Sequence, residues 1–379
     1  MTKKLYEDDG LLREFDATVV RCEKQGDLWE AVLDQAAFFP EGGGQAADTG
    51  TLGGARVTDV QIKNGEIIHT LDPPLAAKSR VHGALYWPQR FSRMQQHTGE
   101  HILSGTLHRL YQLDNVGFHM GSQDVTLDVN GPLTREELLA AEREANLAIA
   151  RNVSVRAYYP DAQALDALEY RSKKQIDGAV RIVEIDGVDR CACCAPHLPQ
   201  TGGVGLVKIL DAVHYKGGMR LHILCGLSAV RDYEEKYEAV AAIASSLSVK
   251  QEQAEAAVAH LSDELAQKNG ELRRAMAAMA QLLAQNVAPR EGALCLFAPF
   301  DDRDALRIYA LEAAKRCGGV CVVFGENSPR AYAAAGPDVR AFVRGMNAAL
   351  SGRGGGTDAL CQGSCTAEQD AIEAFFAEK

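Results

Sequence analysis

The sequence predicts a mixed α+β chain built from several domains. Three observations carry this: short alternating apolar runs between turn residues over the first 90 positions, a long Ala/Glu/Gln/Lys/Leu segment with heptad spacing after Ser228, and a strand–helix–strand pattern beyond it. A chain of 379 residues, 46% hydrophobic and 24% charged, has the composition of an ordinary globular protein and the length for two or three domains.

Taken in order, the clearest N-terminal hairpin is Ala55 to Leu71, whose apolar arms flank Asn64-Gly65, a pair suited to a tight type I′ turn. Before it stands Phe38-Phe39-Pro40-Glu41-Gly42-Gly43-Gly44-Gln45, where three glycines let backbone approach something closely. From Arg90 to Tyr111 the period becomes helical through Met94, His97, His101, Ile102, Leu107 and Leu110. A second helix runs from Arg135 to Ala150, with Thr134 as N-cap and Glu136 and Glu137 in the first turn. Val180 to Cys191 reads as a hairpin turning at Asp186-Gly187. A helix over Asp232 to Ser246 is followed by one starting at Ser248, with Gln251 completing a capping box. Val258, Leu261, Leu265, Leu272, Ala275, Met279 and Leu282 keep an a/d register, interrupted by Lys268. This segment suits oligomerisation or spacing. Ala293–Phe297 and Gly319–Phe324 are buried strands around a helix from Asp304 to Cys317. The run Gly352-Arg-Gly-Gly-Gly356 matches neither a P-loop nor a dinucleotide fingerprint.

The net charge of −11, with neither half of the chain basic, argues against a general nucleic-acid binder. No apolar run is long enough to span a bilayer, and the N-terminus has no apolar core behind its lysines, so the expected compartment is the cytoplasm. In that reducing setting the ten cysteines point to metal binding or packing rather than disulfides.

Two segments carry the chemistry. His97-Thr98-Gly99-Glu100-His101 on a helix puts two imidazoles on one face. Cys191-Ala192-Cys193-Cys194-Ala195-Pro196-His197 offers Cys193 and His197, with Cys191 and Cys194 competing for the thiolate role. Three imidazoles and one thiolate form a borderline-soft set suited to zinc. A closed four-ligand zinc would only staple the fold, whereas the neighbouring glycine-rich backbone and Glu100 suggest a pocket.

At these residues the chain resembles the editing half of alanyl-tRNA synthetase and its free-standing AlaX-type relatives. The likeness rests on Phe38 to Gly50, His97 to His101, Gly121-Ser122, and Cys193-x3-His197 with Thr201-Gly202. The coiled coil and Gly-rich end resemble that family's C-terminal DHH-associated domain, as in its long form. None of these blocks resembles the synthetase's aminoacylation domain, so charging of tRNA is not expected. The resemblance implies a trans-editing hydrolase that removes a wrongly attached amino acid, typically serine and sometimes glycine, from tRNA for alanine. It places zinc ligands at His97, His101, Cys193 and His197, and a pocket framed by Gly42, Gly43, Gly44, Gln45 and Asp48, with Thr201 and Gly202. Relatives often have Thr at the position of Ala36, Gln at that of His119, and a small or hydroxyl residue at that of Glu100. Loss of a hydroxyl at position 36 would weaken recognition of a serine side chain if that position lines the pocket.

Glu100, His119 and the terminal ribose hydroxyl of the substrate are the candidates for proton transfer. Arg171, Lys173, Lys174, Arg181, Lys216 and Arg220 make a local positive cluster around the cysteine segment that could contact the phosphates of a tRNA end. Two other readings start from the same residues: a non-catalytic, zinc-stapled RNA-binding or scaffold protein, and an inverzincin-like metallopeptidase from the His-x2-Glu-His order. The expected architecture is an N-terminal β-barrel over 1–90, an α+β zinc editing domain over 91–230, a coiled-coil or helical hairpin over 231–287 and a C-terminal α/β domain over 288–379. The apolar seam of the third part predicts a homodimer.

Overall fold

The computed structural model describes residues 2–121, 124–172, 178–377 and 379. It is mixed α+β and falls into two compact units, Met1–Ala239 and Val240–Lys379. Among the described residues no helix is long and apolar enough to cross a membrane.

In the first unit, strands β1 (Glu14–Gln25), β2 (Leu28–Leu33), β3 (Gly50–Leu52), β4 (Ala55–Lys63), β5 (Glu66–Leu71) and β6 (Arg80–Leu85) close into a barrel in the order β1-β2-β5-β4-β3-β6. Alternation along each strand sends Phe15, Ala17, Val19, Leu52, Val57, Val60 and Leu71 inward with Phe38 and Phe39. The β4–β5 turn has Asn64 and Gly65 at φ 52° and 80°, as the type I′ expectation requires.

Helix α1 (Trp87–Tyr111) follows, with proline in its first turn and an almost wholly buried middle. Strands β7 (Asn115–Met120) and β8 (Val125–Val129) lead to α2 (Arg135–Ala150), where Thr134 and Glu137 form a reciprocal capping box. Strands β9 (Val155–Tyr158), β10 (Ile182–Ile185) and β11 (Asp189–Ala192) make a three-stranded antiparallel sheet. Strands β12 (Val207–Tyr215) and β13 (Gly218–Cys225) extend the other sheet in the order β12-β13-β8-β7. Met94, Ile102, Leu103 and Leu107 of α1 share a core with Leu127, Leu221, Ile223 and Ala145. This packing fixes the face of α1 that bears the histidines.

Helix α3 (Leu227–Ser246) spans the division between the units, and α4 (Ala254–Gln285) opens the second. The expected start of α4 at Ser248 is corrected here. Ser248 sits at φ 56°, its N–H bonded to Ser245 O and that of Val249 to Ala244 O, a Schellman motif that ends α3. The second unit continues through β14 (Leu294–Phe297), α5 (Arg303–Ala314), β15 (Cys321–Phe324), β16 (Arg330–Ala335), α6 (Val339–Ala349), β17 (Gly352–Gly356), β18 (Leu360–Cys365) and α7 (Gln369–Ala377). Its sheet runs β14-β15-β16-β18-β17, and β14 pairs with β15 in parallel across the α5 crossover. Cys321 and Val323 face a core shared with α4 and α5, while Val322 and Phe324 face one shared with α6 and α7.

Candidate metal centre

His97 and His101 lie one turn apart on α1, and their rings are joined by that of His197. Cys193 and His197 arrive on the segment leaving β11, which Arg181 clamps by donating to Cys193 O at 3.1 Å and Ala195 O at 3.0 Å. One ligand atom from each of His97, His101, Cys193 and His197 lies within 4.8 Å of the others. Cys193 Sγ stands 3.5 Å from His97 Nε2 and 3.4 Å from His197 Nε2. A tetrahedral zinc with Zn–S about 2.3 Å and Zn–N about 2.0–2.1 Å calls for S···N separations of about 3.5 Å. The four residues therefore fit the ion.

The far side of each imidazole is held as well. Nδ1 of His97 lies 2.9 Å from Gln45 Oε1, that of His101 3.1 Å from Asp189 Oδ2, and that of His197 3.3 Å from Thr98 Oγ1. Anchored at Nδ1, the rings turn Nε2 inward, the arrangement that metal-ligating histidines adopt. The electrostatics agree with it. Burial raises the Cys193 thiol, but the surrounding imidazoles overcome this and hold it well below the usual range, as a thiolate. Burial lowers His197 to about 3, leaving it neutral. Burial also opposes charge on His101, yet Asp189 and Cys193 outweigh it and raise that pKa, so this corner of the site favours a cation. Asp189 is driven up by burial and further down by His101 and Arg171, settling at about 2.

The glycine-rich segment reaches the same place. Gly42 and Gln45 exchange two backbone hydrogen bonds of 3.0 Å around Gly43 at φ 60° and Gly44 at φ 85°. A Cβ on Gly44 would stand 2.6 Å from Phe118 O, so only glycine lets this turn dock on β7, where Met120 N donates to Gly44 O. The docking delivers Gln45 to His97 and sets the Phe118 ring 4.9 Å from the same imidazole. Gly43 lies beside Cys194, at the more exposed side of the cluster.

The other candidate residues occupy different surroundings. Glu100 is fully buried, and its carboxylate accepts from Ser104 and Asn115 instead of joining the four donors. One residue before His101 on a helix, it is turned about 100° from that ligand. His119 is exposed, because strand alternation sends Phe118 to the cluster and its neighbour to the opposite face. Asp48 is an internal anchor, receiving Phe39 N and the Arg90 guanidinium, which also donates to Gly10 O and Ala37 O. Thr201 ties α2 to Val153 through Ala148 O, and Gly202 N is held by Asn152. Of the six cations, Arg181 holds the ligand segment, Arg171 grips Asp189 at 2.8 Å through two nitrogens, and Arg220 pairs with Asp128 while covering Tyr215. Lys216 is exposed on the β12–β13 turn. Lys173, Lys174 and Ser122 lie outside the described residues.

Sequence reasoning missed Asp189, Thr98, Phe118 and Arg90. For Asp189 a signal existed: at positions 189, 191 and 193, strand alternation puts Asp189, Cys191 and Cys193 on one face. His101, Asp189 and Cys191 accordingly form a second group of close donors.

The family model for the second additional domain of threonyl and alanyl tRNA synthetases matches residues 180–232, the stretch that holds Cys193 and His197. Individual relatives match more of the chain. The chain is similar to the alanyl-tRNA editing protein AlaX-L of Pyrococcus horikoshii, 34% identical over 247 residues, 62% of this chain and 61% of that one. It is 30% identical over 261 residues to the alanyl-tRNA editing protein Aarsd1 of Mus musculus, covering 64% of this chain and 63% of the relative. With the alanine–tRNA ligase of Pyrococcus furiosus it shares 34% over 267 residues, 66% of this chain and 29% of the ligase. The chain thus spans about three fifths of the free-standing relatives it matches. The resemblance to AlaX-type free-standing editing proteins is borne out.

Proposed function

We propose that the chain is a zinc-dependent hydrolase that deacylates mischarged tRNA for alanine in trans, in the cytoplasm, releasing serine or glycine. The observation that carries this reading is the set of four converging donors whose imidazoles are each anchored at Nδ1. The names of the free-standing relatives support the substrate. Zinc, when bound, supplies a positive charge that polarises a water or an ester carbonyl. The chain's own residues do the rest. Gln45, Asp189 and Thr98 orient the rings, and the Gly43–Gly44 turn stands beside Cys194. Phe118 packs on His97 and excludes water from that side.

With Arg171, Arg181 and Arg220 engaged internally, contact with the tRNA end falls to Lys216 and to Lys173 and Lys174. Four protein donors also complete a tetrahedron, which favours a second reading: a stapling zinc in a non-catalytic RNA-binding protein. Release of serine, glycine and alanine from charged tRNA for alanine separates the two. The hydrolase reading expects serine or glycine to leave faster than alanine, with activity lost to a chelator and restored by zinc. No turnover on any of the three would leave the staple. The buried Glu100 gives the metallopeptidase reading no support. We further propose that a second copy of the chain covers the exposed apolar stripe of α4, giving a homodimer.

A further inference from the structure

Arg171 stands apart from the other cations of the cysteine region. Its side chain is only 12% exposed, and it grips Asp189 through Nε on Oδ1 and Nη2 on Oδ2, both at 2.8 Å. Oδ2 is also the oxygen facing His101 Nδ1 at 3.1 Å. One carboxylate, itself almost wholly buried, therefore receives a planar fork on one side and an imidazole N–H on the other. Gly105 makes the approach possible: a Cβ there would stand 2.6 Å from both Asp189 Cβ and Val188 O, so β11 comes against α1 one turn beyond His101. Arg171 is fixed from the backbone too, its N–H donating to Arg190 O and its carbonyl receiving Ala192 N.

Behind this pair opens a cavity of about 870 Å³, with Arg109, Tyr170, Arg171, Arg190, Asp189 and Cys191 in its wall. Arg109 pairs with Glu144 and Arg190 with Glu184, as Arg171 does with Asp189. These cations are committed to carboxylates, so the wall does not offer a free cluster for phosphate. Asp189 and Cys191, with His101, could themselves suggest a second metal position. The guanidinium already seated on Asp189 supplies the positive charge there and repels another ion.

We infer that Arg171 is a positioning residue for the metal centre: through Asp189 it fixes the plane and the Nδ1 proton of His101, so that Nε2 faces the other three donors. This rests on the proposed metal reading. A lone carboxylate on Asp189 could rotate about its side chain, whereas one held by a two-pronged fork cannot without breaking both bonds. The fork thus stiffens a ligand that it never touches.

The test measures zinc loss to a chromophoric chelator, and the visible spectrum after cobalt substitution, in full-length wild type and in Arg171→Lys, Arg171→Met and Asp189→Asn. Loss of such a partner typically costs about 10- to 100-fold in metal affinity. Arg171→Met and Asp189→Asn are expected to release zinc about that much faster with an altered cobalt spectrum, and Arg171→Lys to fall between. Far-UV circular dichroism on the same samples shows whether each variant folds. Zinc release within two-fold of wild type in both folded variants would overturn the inference while leaving the metal reading standing. A wild type that binds no zinc would overturn both. If Arg171→Met instead weakens tRNA binding and flattens its salt dependence while zinc is retained, Arg171 is an RNA cation and the inference is wrong.

Discussion

At the scale of single residues, the barrel holds a charge-capable group without a counterpart. His69 is fully buried in β5, its Nδ1 3.3 Å from Ala31 O, its ring edge-on to Phe38, and its Nε2 without a hydrogen-bond partner among the described residues. Burial lowers its pKa to about 4. An unfolded chain, with histidine near 6.5, binds the proton more readily over that interval. Folding is therefore unaffected by His69 above about pH 6.5 and loses stability as pH falls toward 4, by up to about 3 kcal/mol. The difference in urea midpoint between wild type and His69→Leu, followed from pH 7 to pH 4, should shift in favour of the variant. A parallel pair of curves would show that His69 charges in the folded barrel without penalty. The metal-centre donors were legible because they are spaced for one helix face and one short segment. The groups that anchor them were less so: Gln45 stands 52 positions before His97, and nothing local in the sequence says that they meet.

At the scale of elements, period was a sound guide wherever one face is buried. It marked α1 and α2, both hairpins and the β14–α5–β15 crossover, because burial selects the residues that repeat. It failed at two kinds of place. Ser248 reads as a cap, but a residue that can cap the next helix can also end the previous one, and the backbone bonds of α3 decide in favour of the end. The glycines of β17 carry no strand propensity, yet pair register for register with β18 through backbone groups alone. Helix α4 shows a subtler limit. The heptad residues foreseen as a seam do form a stripe, but its own unit buries the neighbouring one, Met276, Ala280, Leu283 and Ala284. Leu261 and Leu265 remain 52% and 60% exposed, with Val258, Leu272, Met279 and Leu282 in line. An apolar row of that length on an exposed helix face calls for a partner. Leu261→Lys with Leu265→Lys should convert a dimer to a monomer by light scattering at micromolar protein while leaving helix content unchanged. A wild type that is already monomeric there would refute the proposed seam.

At the scale of the whole chain, division into two units would make a metal bound at the proposed centre a local stabiliser. Every proposed ligand and every group anchoring one lies within Met1–Ala239, and so do both tryptophans, Trp29 and Trp87. Tryptophan fluorescence therefore follows the first unit alone, whereas α4 and the α/β sheet of the second contribute to far-UV circular dichroism without contributing tryptophan signal. An ion that binds only the folded state stabilises it by RT ln(1 + [L]/Kd), about 2.7 kcal/mol when free zinc is a hundredfold above Kd. For a unit of this size that corresponds to a shift of roughly 2–4 °C per kcal/mol in melting temperature. Chelation should lower the fluorescence midpoint by several degrees and leave a later dichroism transition in place, so that the two probes, close together with zinc, separate without it. Cys193→Ser should reproduce the chelated behaviour and no longer respond to zinc. If chelation instead moves both probes by the same amount, the two units unfold as one and the ion's stabilisation extends across the whole chain.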